Sequence, residues 1–160
     1  MALLEVNNLN VRFPTEDGVV HAVRDVSFTV DRGEVLGVVG ESGCGKSVTN
    51  LAMMGLLPRS TRIDGSIKYA GDELVGLPSK RQTKYRGNDL GMIFQDPMTS
   101  LNPVYTVGWQ IAEAVRAHQD VSKKVAMGRA VELLELVGIP QATKRVDSFP
   151  HEFSGGMRQR

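Results

Sequence analysis

One eight-residue stretch, residues 40–47 (GESGCGKS), constrains this chain more than any other feature. It fits the pattern G-x-x-x-x-G-K-[ST] of a loop that wraps around a polyphosphate. Its glycines let backbone N–H groups approach the phosphates closely, the Lys46 ammonium reaches the β- and γ-phosphates, and the Ser47 hydroxyl can ligate Mg²⁺. The predicted phosphate site comprises Gly40, Glu41, Ser42, Gly43, Cys44, Gly45, Lys46 and Ser47.

The residues on either side of this loop support the same interpretation. Residues 35–39 (VLGVV) predict a buried strand that enters the loop, and residues 46–57 predict a helix that leaves it. The positive end of that helix would then point at the phosphates. The alternative is a glycine-rich turn without a ligand, and the matching flanks favour the phosphate site.

Composition narrows the class of protein. With 160 residues, 41% hydrophobic and 23% charged, the chain has the balance of a globular domain and not that of a fibrous or wholly disordered one. Its 19 basic and 18 acidic residues give a net charge of +1, so nothing indicates a nucleic-acid partner. A single cysteine, Cys44, suits a reducing compartment. Without a signal-peptide pattern or an apolar run near the ~18 residues of a membrane span, we expect a cytoplasmic chain that meets a membrane through a partner.

The rest of the chain predicts a β-rich part followed by a helical part. Hydrophobic periodicity and turn residues predict strands at 3–13, 19–30, 63–70 and 90–94, helices at 78–86, 106–119 and 122–137, and a proline-containing loop at 95–103. Ser122 is placed to cap the last of these helices, and Gly138 is placed to end it.

A second motif lies at residues 153–160 (FSGGMRQR), after the phosphate loop, a loop that contains Gln95, and the helical pair. This order resembles the nucleotide-binding domain of ATP-binding-cassette (ABC) transporters. The sequence of residues 94–103 (FQDPMTSLNP) and of residues 150–160 (PHEFSGGMRQR) is similar to that of the oligopeptide and dipeptide importer branch in particular. The resemblance runs from about Leu3 to Arg160.

The resemblance implies a fold and a division of the chain. The fold class is α/β, an incomplete P-loop NTPase nucleotide-binding domain with an N-terminal antiparallel β subdomain and an α-helical subdomain. Residues 1–94 would hold the β subdomain and the first part of the P-loop core, residues 95–103 a hinge loop, and residues 104–160 the helical subdomain.

The same resemblance implies roles for residues outside the phosphate loop. Phe13 would stack on adenine, although a core phenylalanine in a strand is the alternative. Gln95 would contact Mg²⁺ or the attacking water, so that Gln95 and Lys46 are the catalytic residues and Ser47 and Gln95 the metal ligands. The γ-phosphate of ATP held by a second nucleotide-binding domain would bind Ser154, Gly155 and Gly156.

ATP and Mg²⁺ are the implied cofactors. The implied partners are transmembrane permease subunits, a second nucleotide-binding domain of the same or another kind and, indirectly, a solute-binding protein. The implied location is the inner face of the cell membrane.

This sequence departs from the family pattern in two ways. Phe153 and Met157 stand at the ends of a motif that is commonly Leu-Ser-Gly-Gly-Gln, while the Ser-Gly-Gly centre is intact. The acidic pair and the switch histidine that follow the motif in the family are not found in the 160 residues. We therefore expect an N-terminal fragment of a peptide-importer ATPase that binds ATP without hydrolysing it alone.

Two other functions remain open from the sequence. One is a self-contained P-loop GTPase or kinase with Asp96 as its Mg²⁺ acid, although residues 143–146 (TKRV) break the guanine motif Thr-Lys-x-Asp at its fourth position. The other is a non-catalytic module that regulates a full-length partner through its Ser154 loop.

Overall fold

The computed structural model describes residues 2–94 and 99–160. The chain divides into two compact units, Met1–Arg86 and Gly87–Arg160. No helix in the described part of the chain is both long enough and apolar enough to span a bilayer.

A four-stranded antiparallel sheet forms the first unit, in the order β2-β1-β3-β4. Its strands are β1 (Leu4–Thr15), β2 (Gly18–Val30), β3 (Arg62–Tyr69) and β4 (Asp72–Glu73). The side chains of Val6, Leu9, Val11 and Ile67 are fully buried beneath it. The predicted strands at 3–13, 19–30 and 63–70 are confirmed, with β1 reaching two residues further toward its turn than predicted.

The two-residue strand β4 was not predicted, because residues 71–72 carry only a turn signal. It is held to β3 by the carboxylate of Glu73, which accepts hydrogen bonds from Ser66 Oγ (2.5 Å) and from the N–H groups of Ile67 (3.0 Å) and Val75 (2.9 Å). Partial burial raises the pKa of the Glu73 carboxyl, but these hydrogen bonds stabilise its charged form and the net pKa is lowered. A side-chain contact therefore fixes this corner of the sheet.

The prediction of buried strands at 35–39 and 90–94 is wrong for this structure. Neither run is a strand, and Val35 and Val39 are 95% and 93% exposed while Ile93 is 97% exposed. A continuous apolar run becomes a buried strand only where neighbouring strands pair with it and other layers cover both faces. No strand of the described four-stranded sheet pairs with either run, so their apolar side chains face solvent.

Two short helices belong to the first unit, α1 (Lys46–Met53) and α2 (Ser79–Tyr85). The second unit contains α3 (Val107–His118), α4 (Lys123–Leu136), α5 (Ala142–Arg145), a 3₁₀ turn (Pro150–Glu152) and α6 (Gly155–Gln159). The predicted helices at 78–86, 106–119 and 122–137 are confirmed. The helix predicted at 46–57 ends four residues early, and α5 was not predicted as a helix.

Capping residues fix where the two long helices, α3 and α4, begin. The Ser122 hydroxyl accepts a hydrogen bond from the N–H of Val125, and the Thr106 hydroxyl accepts one from the N–H of Trp109, each at 3.3 Å. Both hydroxyls thus satisfy an N–H group that has no partner within its helix. The predicted cap at Ser122 is confirmed.

An apolar cluster forms the core of the second unit. Its buried members are Val107, Ala130, Leu134, Ile139, Ala142, Val146 and Phe153. Close packing against Gly108 extends this core: a Cβ atom at Gly108 would lie 2.2 Å from Val146 Cγ2 and 2.5 Å from the Val146 carbonyl oxygen. Because the interior is close-packed, this position has no room for a methyl group.

We predict that Gly108→Ala destabilises the second unit by about 1–3 kcal/mol, because a methyl group there forces backbone and side-chain shifts. Gly128→Ala is the matched control, since Gly128 also lies within a helix but a Cβ there meets no atom within 4 Å. The control variant should be more stable than wild type by about 0.5–1 kcal/mol, the helix propensity of alanine over glycine. Urea unfolding followed by circular dichroism measures both, and equal effects of the two substitutions would contradict the packing.

Candidate functional site

The loop at 40–47 lies against β2 and leads directly into α1. Gly45 is the N-cap of α1 with φ +94°, and Gly43 has φ +82°. A Cβ atom at Gly45 would lie 2.5 Å from the carbonyl oxygen of Ala22 in β2. Glycine is therefore required at position 45 both for its left-handed conformation and for the close approach of two backbones.

The first turn of α1 is open to an anion. Gly45 has no side chain with which to cap the helix, and no acidic residue lies in the first turn. The N–H groups that begin a helix lack partners within it, and they carry the positive end of the helix dipole. Such a terminus binds phosphate groups well.

Lys46 brings a cation to the same place. Its Nζ atom donates hydrogen bonds to the carbonyl oxygens of Gly40 (2.6 Å) and Glu41 (2.7 Å), and it lies 3.4 Å from Cys44 Sγ. The ammonium thus lies over the loop backbone. Ser47, the next residue, is exposed at the start of α1.

A cleft of about 630 Å³ lies between β2 and the phosphate loop. Lys46, Gly43 and Gly45 form part of one wall, and His21, Ala22 and Val23 of β2 form part of another. This volume lies within the range of small-molecule sites. Sequence reasoning missed the contribution of β2, because the pairing of a loop with a strand about twenty residues earlier leaves no local signal.

No aspartate or glutamate is among the residues that line this cleft in the described part of the chain. β2 contributes His21 and Arg24 to the lining, and the Nε2 atom of His21 lies 3.0 Å from Asn10 Oδ1. Across residues 2–94 and 99–160, no cluster of three histidine, cysteine, aspartate or glutamate side chains could hold a metal ion. The cleft therefore offers cationic and backbone N–H groups but no carboxylate.

Phe13 lies in β1 opposite Val20 of β2 and is half-buried. Val20 lines the cleft, whereas Phe13 is not among its lining residues. The predicted catalytic and metal-binding residue Gln95, and the alternative acid Asp96, lie outside the described residues.

In the second unit, Ser154 is the N-cap of α6 and its hydroxyl accepts a hydrogen bond from the N–H of Met157 at 3.3 Å. Gly155 and Gly156 form the exposed start of that helix. The side chain of Phe153 is only 4% exposed in the apolar core, and Met157 packs against the same core. The two positions that depart from the common motif are thus packing positions, and the Ser-Gly-Gly centre between them faces solvent.

Comparison with known proteins identifies close relatives over almost the whole chain. The ABC transporter family model matches residues 23–160. The chain is 56% identical to the oligopeptide transport ATP-binding protein OppD of Bacillus subtilis, covering 99% of this chain and 45% of that protein. It is 50% identical to the dipeptide transport ATP-binding protein DppD of Haemophilus influenzae, covering 100% of this chain and 49% of that one. The chain thus spans about half the length of these relatives.

Solved structures show the same fold at low sequence identity. The dimeric structure of MJ0796, a bacterial ABC transporter cassette, matches with a TM-score of 0.78 and 21% identity, over 98% of this chain and 65% of that one. A second structure of the same cassette, bound to ADP and Pi, matches over the same shares with a TM-score of 0.80 and 21% identity. The predicted fold class, an incomplete P-loop nucleotide-binding domain, is confirmed.

We predict that Gly45→Ala is more damaging than Gly43→Ala, although both glycines have a positive φ. Each substitution should cost about 1–2 kcal/mol because an L-residue is forced into a left-handed conformation. Gly45→Ala should cost at least about 1 kcal/mol more, because its methyl group meets the Ala22 carbonyl whereas Gly43 has open space. Urea unfolding of the two variants measures the difference, and equal stabilities would show that the loop does not lie against β2.

Proposed function

This chain belongs to the ABC transporter family, and on that premise we propose that it supplies the ATP-binding part of a subunit that powers uptake of peptides or related small solutes through a membrane permease. The observation that carries the proposal is the open first turn of α1 beside Lys46, at the edge of a cleft without carboxylates. Identity of 50–56% to oligopeptide and dipeptide transport ATP-binding proteins supports the class of solute.

The residues of the phosphate loop fit the triphosphate of ATP. Glycines 43 and 45 leave the loop backbone uncovered, the start of α1 attracts negative charge, and the Lys46 ammonium can exchange its two carbonyl partners for phosphate oxygens. Phe13 would stack on adenine from β1. Two aliphatic side chains of the cleft wall, Val20 and Val23, offer apolar surface near the loop.

Mg²⁺ is the second proposed cofactor, with the Ser47 hydroxyl and Gln95 as its ligands in this chain. When bound, it would neutralise charge on the phosphates during transfer. The exposed hydroxyl of Ser47, directly after Lys46, supports its role. Lys46 and Gln95 are the proposed catalytic residues.

The Ser154, Gly155 and Gly156 triplet would bind the γ-phosphate of ATP held by a second nucleotide-binding domain, identical or not. Its two glycines are exposed while Phe153 and Met157 anchor the helix start in the apolar core. Such anchoring presents the triplet outward without covering its N–H groups. The relative MJ0796 is known as a dimeric cassette, and the same arrangement is proposed for this chain.

We further propose the division into a β and P-loop part (1–94), a hinge loop (95–103) that faces the permease, and a helical part (104–160). The subunit would work on the inner face of the membrane, with a solute-binding protein as an indirect partner. Hydrolysis requires a group that activates water, and the described cleft wall contains no carboxylate to do so. We therefore propose that residues 1–160 bind ATP but do not turn it over.

ATP should protect Cys44 from a thiol reagent, because the exposed thiol lies on the phosphate loop. Lys46→Ala should weaken ATP binding at least about tenfold, since charge-assisted hydrogen bonds to phosphate are lost. Lys80→Ala is the control, because Lys80 is exposed on α2, and it should bind ATP as wild type does. Titration with a fluorescent ATP analogue and timed labelling test the proposal, which fails if ATP changes neither signal.

Phosphate release by residues 1–160 in the presence of ATP and Mg²⁺ should not exceed that of Lys46→Ala. The physical reason is that none of the described residues lining the cleft carries a carboxylate that could activate water. A sensitive phosphate assay with both proteins at equal concentration measures this. Turnover by wild type that Lys46→Ala abolishes would contradict the proposed division between binding and hydrolysis.

A further inference from the structure

Arg86 makes a two-pronged contact with the far end of the phosphate-loop helix. Its Nε atom donates to the carbonyl oxygen of Met54 at 2.6 Å, and a terminal nitrogen donates to the carbonyl oxygen of Gly55 at 2.5 Å. Both carbonyls lie just after α1, which ends at Met53. The planar guanidinium suits such a paired contact in a way that a lysine ammonium does not.

The position of this contact matters because the C-terminal end of a helix carries negative partial charge, and Met54 and Gly55 directly follow the last residue of α1. No basic residue lies in the last turn of α1 itself. Arg86, thirty-one residues after Gly55 in sequence, supplies that positive charge from another element. It is partly buried, so water screens the interaction less than it would on an open surface.

Gln82 of α2 holds the side chain of Arg86, which directly follows this helix, in place. Gln82 Oε1 accepts a hydrogen bond from Arg86 at 3.0 Å, and Gln82 Nε2 donates to the carbonyl oxygen of Leu74 at 3.4 Å. Gly55 has φ +60°, and a Cβ atom there would lie 2.4 Å from Gln82 Oε1. The glycine after α1 therefore makes room for this pair of side chains.

Helix α1 has little else to hold it. It has eight residues, about 12 Å of helix, and Ala52 is its one buried residue. Helices of this length are marginal without contacts to the rest of the protein. One end is fixed where Gly45 meets the Ala22 carbonyl, and the other end is fixed by Arg86.

We propose that Arg86 is a positioning residue for nucleotide binding: by holding the C-terminal end of α1 it fixes the direction in which the first turn presents its N–H groups and Lys46 to the phosphates. This inference rests on the proposed ATP-binding function. Arg86 is not among the residues that line the cleft, so it acts through the helix. The basic side chains of α2 itself, Lys80, Arg81 and Lys84, are exposed and have no such role.

Arg86→Gln tests the proposal in the 160-residue chain, with Lys80→Gln as a control that removes an equal charge from an exposed position of α2. Arg86→Gln should raise the Kd for a fluorescent ATP analogue about tenfold. The loss of a partly buried charge at a helix end is large enough to cause a change of this size. Arg86→Lys should recover part of the loss, because it restores the charge but not the paired hydrogen bonds. Lys80→Gln should stay within about twofold of wild type.

Hydrogen exchange separates positioning from simple stabilisation. If Arg86 fixes the whole helix, exchange in Arg86→Gln should accelerate at the first turn, where the N–H of Thr49 bonds to the Gly45 carbonyl, as well as at residues 54–56. If Arg86 only stabilises the fold, Arg86→Gln should accelerate exchange at the C-terminal end of α1 alone and lower the Tm. At temperatures well below the Tm, its Kd should then equal that of wild type. That result would overturn the proposal.

If Arg86→Gln does not fold, Gln82→Ala replaces it, because this change removes the residue that holds the guanidinium and keeps Arg86 itself. Gln82→Ala should raise the Kd by about two- to fivefold. An unchanged Kd would overturn the proposal. Should wild type bind no nucleotide, the proposed function fails, while exchange without nucleotide still decides whether Arg86 controls the first turn.

Discussion

The contact between Gly45 and the carbonyl of Ala22 is the constraint on which the first unit depends. It brings a loop backbone within van der Waals distance of β2 and sets the starting point of α1. The open helix terminus, the position of Lys46 over the loop carbonyls, and the cleft beside β2 all follow from that approach. A side chain larger than hydrogen at position 45 would separate the strand from the loop.

In the second unit, side chains fix the position of an exposed segment, whereas in the first unit the absence of a side chain at Gly45 does so. Its Ser-Gly-Gly segment has little apolar surface of its own, so its placement depends on its neighbours Phe153 and Met157. Both project into the core formed with α3 and α4, where Phe153 also lies beneath the guanidinium of Arg145 at 5.8 Å from the ring centroid. The two positions that depart from the common motif thus anchor the segment in the core, while its glycines stay exposed.

Local patterns predicted most of the elements. The start of α1 at Lys46, the cap at Ser122 and the strands β1 to β3 depend on residues close together in sequence, and each was located correctly. Contacts that arise only once the chain has folded were beyond prediction: the wall that β2 gives to the cleft, the hydrogen bonds by which Glu73 joins β4 to β3, and the reach of Arg86 to Gly55. The strand predictions at 35–39 and 90–94 were wrong for the same reason, because an apolar run is buried only if neighbouring strands and other layers cover it. The binding and catalytic roles of Phe13, residues 40–47, Gln95 and residues 154–156 all remain predictions.

The exposure of the runs at 35–39 and 90–94 also affects the tendency of the polypeptide to associate with other chains. Val35, Val38 and Val39 are β-branched, uncharged and largely accessible, as is Ile93 in the second unit. Short segments of this kind, free of charge and with strong strand propensity, readily pair with other chains. Chaperones and proteases act on molecules that display such surface. The solubility of this polypeptide would then depend on what covers these two segments.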